Sequence, residues 1–304
     1  MAKAHAGRPQ GIEALNAPPS QLGESPFWHP GEQQIYWCDI NGRALHRHDP
    51  ATGAHSLWSF DSEPGSCAPL PGGDLLIALR DGLVRFDPVT AKTRLLAKAP
   101  YDRTQQRFND GKADASGAFW VGTIHEPRDA PRAALYRYAD GELERMGGGV
   151  TVSNGLAFSP DGRTMYWSDT TAHTIYALDA DLATGQVGAR RVFACFADKL
   201  ESRQSGQPYG GRPDGAAVDA EGCYWVAMYE GGRLLRLSPA GELLQQVALP
   251  VLRPTMPAFG GADLRSLYVT SAAAQPGDPA QPLAGCVLRL RAEVPGLPVH
   301  FAHG

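Results

Sequence analysis

The sequence lacks the features that mark several protein classes. Its five cysteines are an odd set without a C-x-x-C pair, which argues against a disulfide framework and a thiolate zinc site. Lysine and arginine total 28 against 32 aspartate and glutamate, so we expect no basic surface for nucleic acid. The longest apolar runs, such as residues 75–79, are far shorter than the roughly 20 residues of a membrane helix. We therefore expect reduced, mostly buried cysteines and neither nucleic acid nor membrane as a partner.

The amino terminus also lacks a secretory pattern. Residues 1–11 include Lys3 and Arg8 but no apolar stretch, whereas a signal peptide needs one of roughly 7 to 15 residues. We expect this segment to be a flexible extension and the protein to be cytoplasmic.

Glycine and proline, by contrast, are abundant, at 35 and 25 of 304 residues. This share indicates many tight turns. Apolar residues make up 43% and charged residues 20%, which is typical of a folded globular chain. No 3.6-residue apolar pattern continues for the roughly 10 to 12 residues that would indicate a helix. The composition and patterning predict an all-β protein.

A short strand pattern rich in aromatic and β-branched residues recurs six times. Its copies lie at residues 35–40, 75–80, 119–124, 165–170, 224–229 and 267–272, with starts separated by 40, 44, 46, 59 and 43 residues. A Gly- or Asp-containing turn precedes each copy, and an alternating strand follows it. Three strands repeated at this period predict a six-bladed β-propeller, which we expect to span residues 1–304 as one domain. Residues 12–15 and 299–302 are expected to complete the same terminal blade.

Four oxygen-bearing side chains occupy one phase of this repeat. Glu24 and Asn154 lie 11 residues before their aromatic strands, and Asn109 and Asp214 lie 10 before theirs. We expect each to stand just ahead of an innermost strand, with a neighbouring glycine that lets the backbone turn into the central channel. Asn-Gly and Asp-Gly are also common turn dipeptides, but four at one phase favour a site on the axis. Two carboxylates and two amides suit one divalent cation; calcium, zinc, manganese, magnesium and iron all stay open.

Motifs in this order resemble the gluconolactonase and regucalcin (senescence marker protein) family of six-bladed propellers. They are LGESPFW at residues 22–28, RFNDGKAD at 107–114, SNGL at 153–156 and PDGAAVDAEG at 213–222, with GGRLLRL at 231–237 and FGG at 259–261. The resemblance covers nearly the whole chain. It implies a metal-dependent hydrolase of sugar lactones.

By motif position, the resemblance implies Glu24, Asn154 and Asp214 as metal ligands. It implies that Arg107 and Asn109 hold the substrate hydroxyls or the hydrolytic water. Glu126 is a further substrate-contact candidate, outside the main set. The cation would polarise the lactone carbonyl, and Asp214 could be the general base for the attacking water.

Two other functions stay open on the sequence. One is a related propeller esterase or organophosphate hydrolase, although Arg107 favours a hydroxylated substrate. The other is a non-catalytic calcium-binding regulatory protein. Neither the sugar, the metal nor the oligomeric state follows from the sequence.

Several polar features have structural interpretations. We expect Asp39 and Asp169 to form hydrogen bonds between blades, and His46 and His48 to belong to blade packing rather than to a metal site. The repeated Trp and Tyr residues are expected in the core between blades. The polar insertion at residues 198–212 is either a substrate-side lid or a variable surface loop.

Overall fold

Six antiparallel sheets follow one another along the chain, as shown by a computed structural model that describes residues 11–304. The inner strands of neighbouring sheets contact one another, and the first sheet contacts the sixth, so the sheets close into a ring around a central channel. The predicted all-β, six-bladed propeller is therefore confirmed. Residues 1–10 of the predicted amino-terminal extension lie outside the described part of the chain.

The first three blades each contain four strands. These are β2 (Gly23–His29), β3 (Gln34–Asp39), β4 (Ala44–His48) and β5 (His55–Ser59); β6 (Pro64–Pro69), β7 (Leu75–Leu79), β8 (Gly82–Asp87) and β9 (Lys92–Lys98); and β10 (Gln106–Ala113), β11 (Phe119–His125), β12 (Ala133–Ala139) and β13 (Glu142–Val150).

Blade four has a divided outer edge, whereas blades five and six have four strands each. The strands are β14 (Ser153–Phe158), β15 (Thr164–Asp169), β16 (Thr174–Asp181), β17 (Gln186–Val187) and β18 (Arg191–Cys195); β19 (Arg212–Val218), β20 (Tyr224–Tyr229), β21 (Arg233–Leu237) and β22 (Leu243–Ala248); and β23 (Pro254–Gly260), β24 (Ser266–Ser271), β25 (Leu288–Arg291) and β1 (Glu13–Ala14).

Each blade has an innermost strand that was not predicted, since the sequence pattern indicated only three strands per blade. The aromatic repeat forms the second strand, and the polar segment before it is itself the first strand. In five blades the pairing of the first and second strands contains a bulge. Two consecutive residues of the first strand have no register partner there, as between Glu24 and Phe27 in blade one. Such bulges interrupt the period-2 alternation that identifies a strand in a sequence.

Of the two segments predicted to complete the terminal blade, only the amino-terminal one does so. Residues 12–15 supply β1, which pairs with β25 and completes blade six. Residues 299–302 form no strand, so that half of the prediction is wrong. Instead, the Ala302 N–H donates to Pro69 O and the His303 N–H to Gly117 O, both at 2.8 Å. The edge position is already taken by β1, and the tail buries Ala302 in the core near blades two and three.

The largest buried side chains come from the aromatic repeat, as predicted. Trp37, Trp120, Tyr36, Tyr224 and Tyr268 are all fully buried. Tyr36 of blade one, for example, belongs to one apolar cluster with Leu75 and Ile77 of blade two. The second strands therefore supply the core between blades.

The predicted hydrogen bonds of Asp39 and Asp169 between blades are wrong. Asp39 accepts from the backbone N–H groups of Gln21 and Leu22 at 2.9 Å, and Asp169 accepts from Thr151 at 3.0 Å and Val152 at 3.2 Å. Each carboxylate thus fixes the segment that enters its own blade, rather than a neighbouring blade.

The histidines and cysteines pack in the way expected of structural residues. His46 stacks on the Trp37 ring at 4.8 Å between centroids, and its Nδ1 lies 3.0 Å from Nε2 of His55. All five cysteines are free; three are buried, Cys286 is half-buried and Cys195 is exposed.

A short helix in the insertion was not predicted. Helix α1 (Lys199–Gln204) begins with a capping box between Asp198 and Glu201. The D-x-x-E spacing at residues 198–201 was the available sequence signal for this start. Within residues 11–304, no helix has the length and apolar character needed to cross a membrane.

Candidate active site

Four inner strands bring the predicted site residues together at one end of the channel. Glu24, Asn109, Asn154 and Asp214 project from β2, β10, β14 and β19 and are all buried. They line one polar pocket of about 250 Å³ together with Arg107. Each lies inside its innermost strand, at or beside the bulge, and not ahead of the strand as the sequence analysis expected.

A chain of hydrogen bonds links two amides and one carboxylate across blades three to five. Asn109 Nδ2 donates to Asn154 Oδ1 at 2.8 Å, and Asn154 Nδ2 donates to Asp214 Oδ1 at 2.6 Å. Thr170 accepts a second bond from Asn154 and donates to Pro213 O at 2.7 Å. The four predicted polar residues therefore belong to one site, and three of them are directly connected.

Glu24 and Asp214 repel each other within this pocket. Burial raises the pKa of Glu24 well above its ordinary value, and the charges of Asp214 and Asp110 raise it further. Burial raises the pKa of Asp214 to about 8, although Arg212 opposes this shift. No basic side chain of residues 11–304 forms an ion pair with either carboxylate. Two buried acids held together without a paired cation either take up protons or are balanced by a bound positive charge.

Asp110 is a third buried carboxylate, which the sequence analysis missed. Its Oδ2 accepts from the Leu156 N–H at 2.8 Å, whereas its Oδ1 is buried without a partner among the described residues. Burial raises its pKa, and the nearby Lys112 ammonium opposes that shift. The run Asn-Asp-Gly at residues 109–111 contained the signal, but a strand alternation broken by a bulge does not show which of its side chains are buried.

The glycines beside the site mainly allow neighbouring inner strands to approach closely. A Cβ on Gly215 would lie 2.4 Å from Cβ of Met256 in the next blade. Gly155 combines this crowding with a left-handed φ of +62°, since its Cβ would lie 2.3 Å from the Tyr224 hydroxyl. The predicted turning role applies to Gly155, while at Gly215 the reason is close packing.

Arg107 is fixed at the wall of the pocket by its own strand. Its Nη1 donates to Asn109 Oδ1 at 2.7 Å and to Phe108 O at 2.9 Å. Its Nε lies 3.6 Å from Oε1 of Glu126. The guanidinium group thus reaches Asn109, its predicted partner in substrate binding.

Glu126 is held at the outer side of Arg107 by a second arginine. Arg80 donates to both Glu126 oxygens, at 2.8 and 2.9 Å, and to Glu63 at 2.7 Å. This pairing joins residues 46 positions apart in sequence, so no local pattern could reveal it. Glu126 lines the outer part of the opening rather than the pocket beside Glu24.

The donor set fits a hard divalent cation. Glu24, Asn154 and Asp214 offer carboxylate and amide oxygens, which calcium, magnesium and manganese prefer. Within residues 11–304, no three His, Cys, Asp or Glu side chains are grouped as metal ligands. A cation here would therefore depend on the Asn154 oxygen as well as the two acids, and it would neutralise their repulsion.

Comparisons with known proteins agree with this architecture. Residues 22–273 match the family described as "SMP-30/Gluconolactonase/LRE-like region". The chain is 44% identical over 284 residues to a 6-deoxy-6-sulfogluconolactonase of Pseudomonas putida, covering 91% of this chain and 94% of that protein. It is 36% identical over 271 residues to regucalcin of Gallus gallus, covering 86% of each.

A solved structure extends the similarity to three dimensions. The crystal structure of a calcium-binding protein, regucalcin, from Agrobacterium tumefaciens superimposes with a TM-score of 0.88 at 30% identity, covering 97% of both chains. The family model spans most of the sequence and includes every predicted site residue. The chain therefore belongs to the SMP-30/gluconolactonase/LRE-like family.

Proposed function

We propose that this protein is an enzyme that hydrolyses sugar lactones to aldonic acids with the help of one divalent cation. The proposal rests on the position of Glu24, Asn154 and Asp214, which lie together in one buried polar pocket beside Arg107. The similarity to proteins named as lactonases supports the reaction class. A cytoplasmic location and a single domain over residues 1–304 remain predictions.

Glu24, Asn154 and Asp214 would hold the cation, which supplies Lewis-acid polarisation of the lactone carbonyl when bound. The side chains around it provide orientation and proton transfer. Arg107 and Asn109 are linked at 2.7 Å. Arg107 would donate hydrogen bonds to the hydroxyl groups of the sugar, and Oδ1 of Asn109 would accept one, because its Nδ2 already donates to Ser153 O and Asn154 Oδ1. Because Arg107 is hydrogen-bonded to the Phe108 carbonyl of its own strand, its side chain loses little conformational entropy when the substrate binds.

Asp214 would act as general base, in the ionised form that a bound cation would favour against the rise in its pKa caused by burial. Its carboxylate accepts a proton from the attacking water while the water oxygen bonds to the carbonyl carbon. The bond between that carbon and the ring oxygen then breaks, and the ring oxygen takes up the proton that Asp214 received, which gives a hydroxyl group and returns Asp214 to its carboxylate form. Asn154 holds Oδ1 of Asp214 at 2.6 Å, which fixes the carboxylate for this transfer.

A calcium-binding role without catalysis is the second candidate. It is supported by the same oxygen donors and by the description of the Agrobacterium relative as a calcium-binding protein. Arg107 argues against this role, because a site that only binds calcium needs oxygen ligands and not a buried guanidinium group beside them.

Acid release from lactones distinguishes the two candidates. Metal-stripped protein is tested on glucono-, galactono-, xylono- and arabinono-lactones with each divalent cation restored, and spontaneous opening is subtracted. We expect turnover that depends on the cation and selects among the sugars. Cation binding without turnover of any lactone would replace the proposal with the calcium-binding role.

A further inference from the structure

Two arginines at the opening of the pocket have no role in the chemistry above. Arg128 and Arg212, called here the arginine pair, line the same pocket as Asp214. They come from different blades: Arg128 lies between β11 and β12, and Arg212 is the first residue of β19. Their convergence is therefore a product of the ring and not of sequence proximity.

The loop that carries Arg128 is fixed on both sides of it. Arg80 holds Glu126 through two hydrogen bonds, and the His125 ring lies 2.6 Å from Oδ1 of Asp129. Arg128 itself has a left-handed φ of +56°, an uncommon conformation for a residue other than glycine. The backbone thus presents Arg128 at a defined place beside the pocket.

The guanidinium group of Arg128 forms no hydrogen bond or ion pair with residues 11–304. An arginine at a fixed position has five donors in a planar fork that suits oxyanions. The group is therefore available to a ligand.

Arg212 is also only partly satisfied. Its Nη2 lies 3.5 Å from Glu230, a carboxylate that Lys199 approaches more closely, at 3.0 Å. Its Nε is buried without a partner among the described residues. The guanidinium group packs 5.2 Å from the centroid of the Tyr229 ring, which restricts its movement.

Once the proposed cation neutralises Glu24 and Asp214 in the same pocket, the other charges around the opening leave a positive excess at this side. Arg80 and Arg107 face two acids, Glu63 and Glu126. Arg128, Arg212 and Lys199 face one, Glu230, since Asp129 is directed to His125. A local excess of cations over a polar pocket attracts and orients an anion.

We infer that the arginine pair binds a sulfonate or phosphate group carried by the sugar lactone, at the end of the substrate remote from its carbonyl. This inference rests on the proposed function and specifies its substrate class. Both groups present several oxygens to the planar forks of the guanidinium groups, whereas a neutral hydroxymethyl group would leave the positive excess uncompensated.

The test compares kcat/KM for glucono-1,5-lactone with kcat/KM for its 6-phosphate and for the 6-deoxy-6-sulfonate counterpart. We expect wild-type protein to prefer at least one anionic lactone by about tenfold or more, with a preference that falls as salt rises. Arg128→Gln and Arg212→Gln should each reduce that preference by about tenfold through KM. The two anionic substrates show which oxyanion is accepted.

Arg191→Gln is the matched control, because Arg191 pairs with Asp179 on an exposed outer strand. It should leave the preference unchanged. Equal kcat/KM for neutral and anionic lactones in wild-type protein, or an unaltered preference in both arginine variants, would overturn the inference.

Failure of the proposed function has a different signature. If no lactone is hydrolysed with any cation, calorimetric binding of 6-phosphogluconate and of its 6-sulfonate analogue tests the arginine pair independently of turnover. Binding that weakens in Arg128→Gln and Arg212→Gln supports an anion subsite, and the absence of binding to wild-type protein refutes it.

Discussion

The two ends of the central channel are built from the same inner strands but have opposite character. The polar end, at the start of each strand, holds Glu24, Asn109, Asn154 and Asp214 in a pocket of about 250 Å³. The apolar end, near the close of the same strands, is a cavity of about 310 Å³. Its walls include Phe27, Trp28, Phe158, Phe259 and Val299.

The difference shows how one strand can serve chemistry and packing at once. Within β14, Asn154 faces the polar pocket, while Phe158 lines the apolar cavity four residues later. Bulges lie between these halves and re-aim the side chains at the polar end. The carboxy-terminal residues 297–300 lie over the apolar cavity and supply part of its wall. The proposed catalysis uses the polar end, and the apolar end supports the ring.

The largest effect is expected at the polar end. Asp214→Ala removes the proposed base and a cation ligand together, so kcat should fall by about 10³-fold. Initial rates of acid release measure this loss, and circular dichroism with thermal unfolding shows whether the variant folds. A folded variant with more than a tenth of wild-type kcat would show that Asp214 is not the base.

An intermediate effect is expected where the inner strands meet. Gly155→Ala places a methyl group 2.3 Å from the Tyr224 hydroxyl in a left-handed backbone, so the free energy of unfolding should fall by about 2 to 3 kcal/mol. Gly53→Ala is the control, since Gly53 shares a positive φ of +76° but has open space around it. Denaturant titration measures the free energy of unfolding of both variants and of wild-type protein. Equal losses in both variants would mean that backbone strain alone, and not crowding between blades, is responsible.

The smallest effect is expected at the apolar end. Val299→Ala shortens a half-buried side chain against the cluster of blades one and two, and the free energy of unfolding should fall by about 1 kcal/mol. We expect kcat/KM to change less than twofold. Val192→Ala, at a side chain that is 65% exposed, should alter neither quantity. A large loss of turnover in Val299→Ala would show that the two ends are coupled.

Much of this architecture could be predicted from the sequence because the repeat has a fixed phase. Counting residues back from each aromatic strand placed Glu24, Asn109, Asn154 and Asp214 on one axis, and the structure brings them into one pocket. The predictions are wrong where this repeat pattern is broken. The two unpaired residues of the bulge in an inner strand resemble a turn in the sequence. These inner strands were therefore not recognised, and Asp110 was missed.

Other features depend on contacts that no local pattern encodes. The tail at residues 299–302 has the composition of a strand, but the position beside β25 belongs to β1. The anchoring of Glu126 by Arg80 and the convergence of Arg128 with Arg212 depend on the closed ring. Such long-range pairings become visible only once the blades are assembled.

Whether one divalent cation in the polar pocket drives lactone hydrolysis is tested by titrating the cation into metal-stripped protein while occupancy and acid release are followed together. We expect turnover of the preferred lactone to rise in proportion to occupancy and to saturate at one ion per chain, while Glu24→Gln shifts both curves to higher concentration. Full turnover by metal-free protein, or saturation with the ion without any turnover, would contradict it.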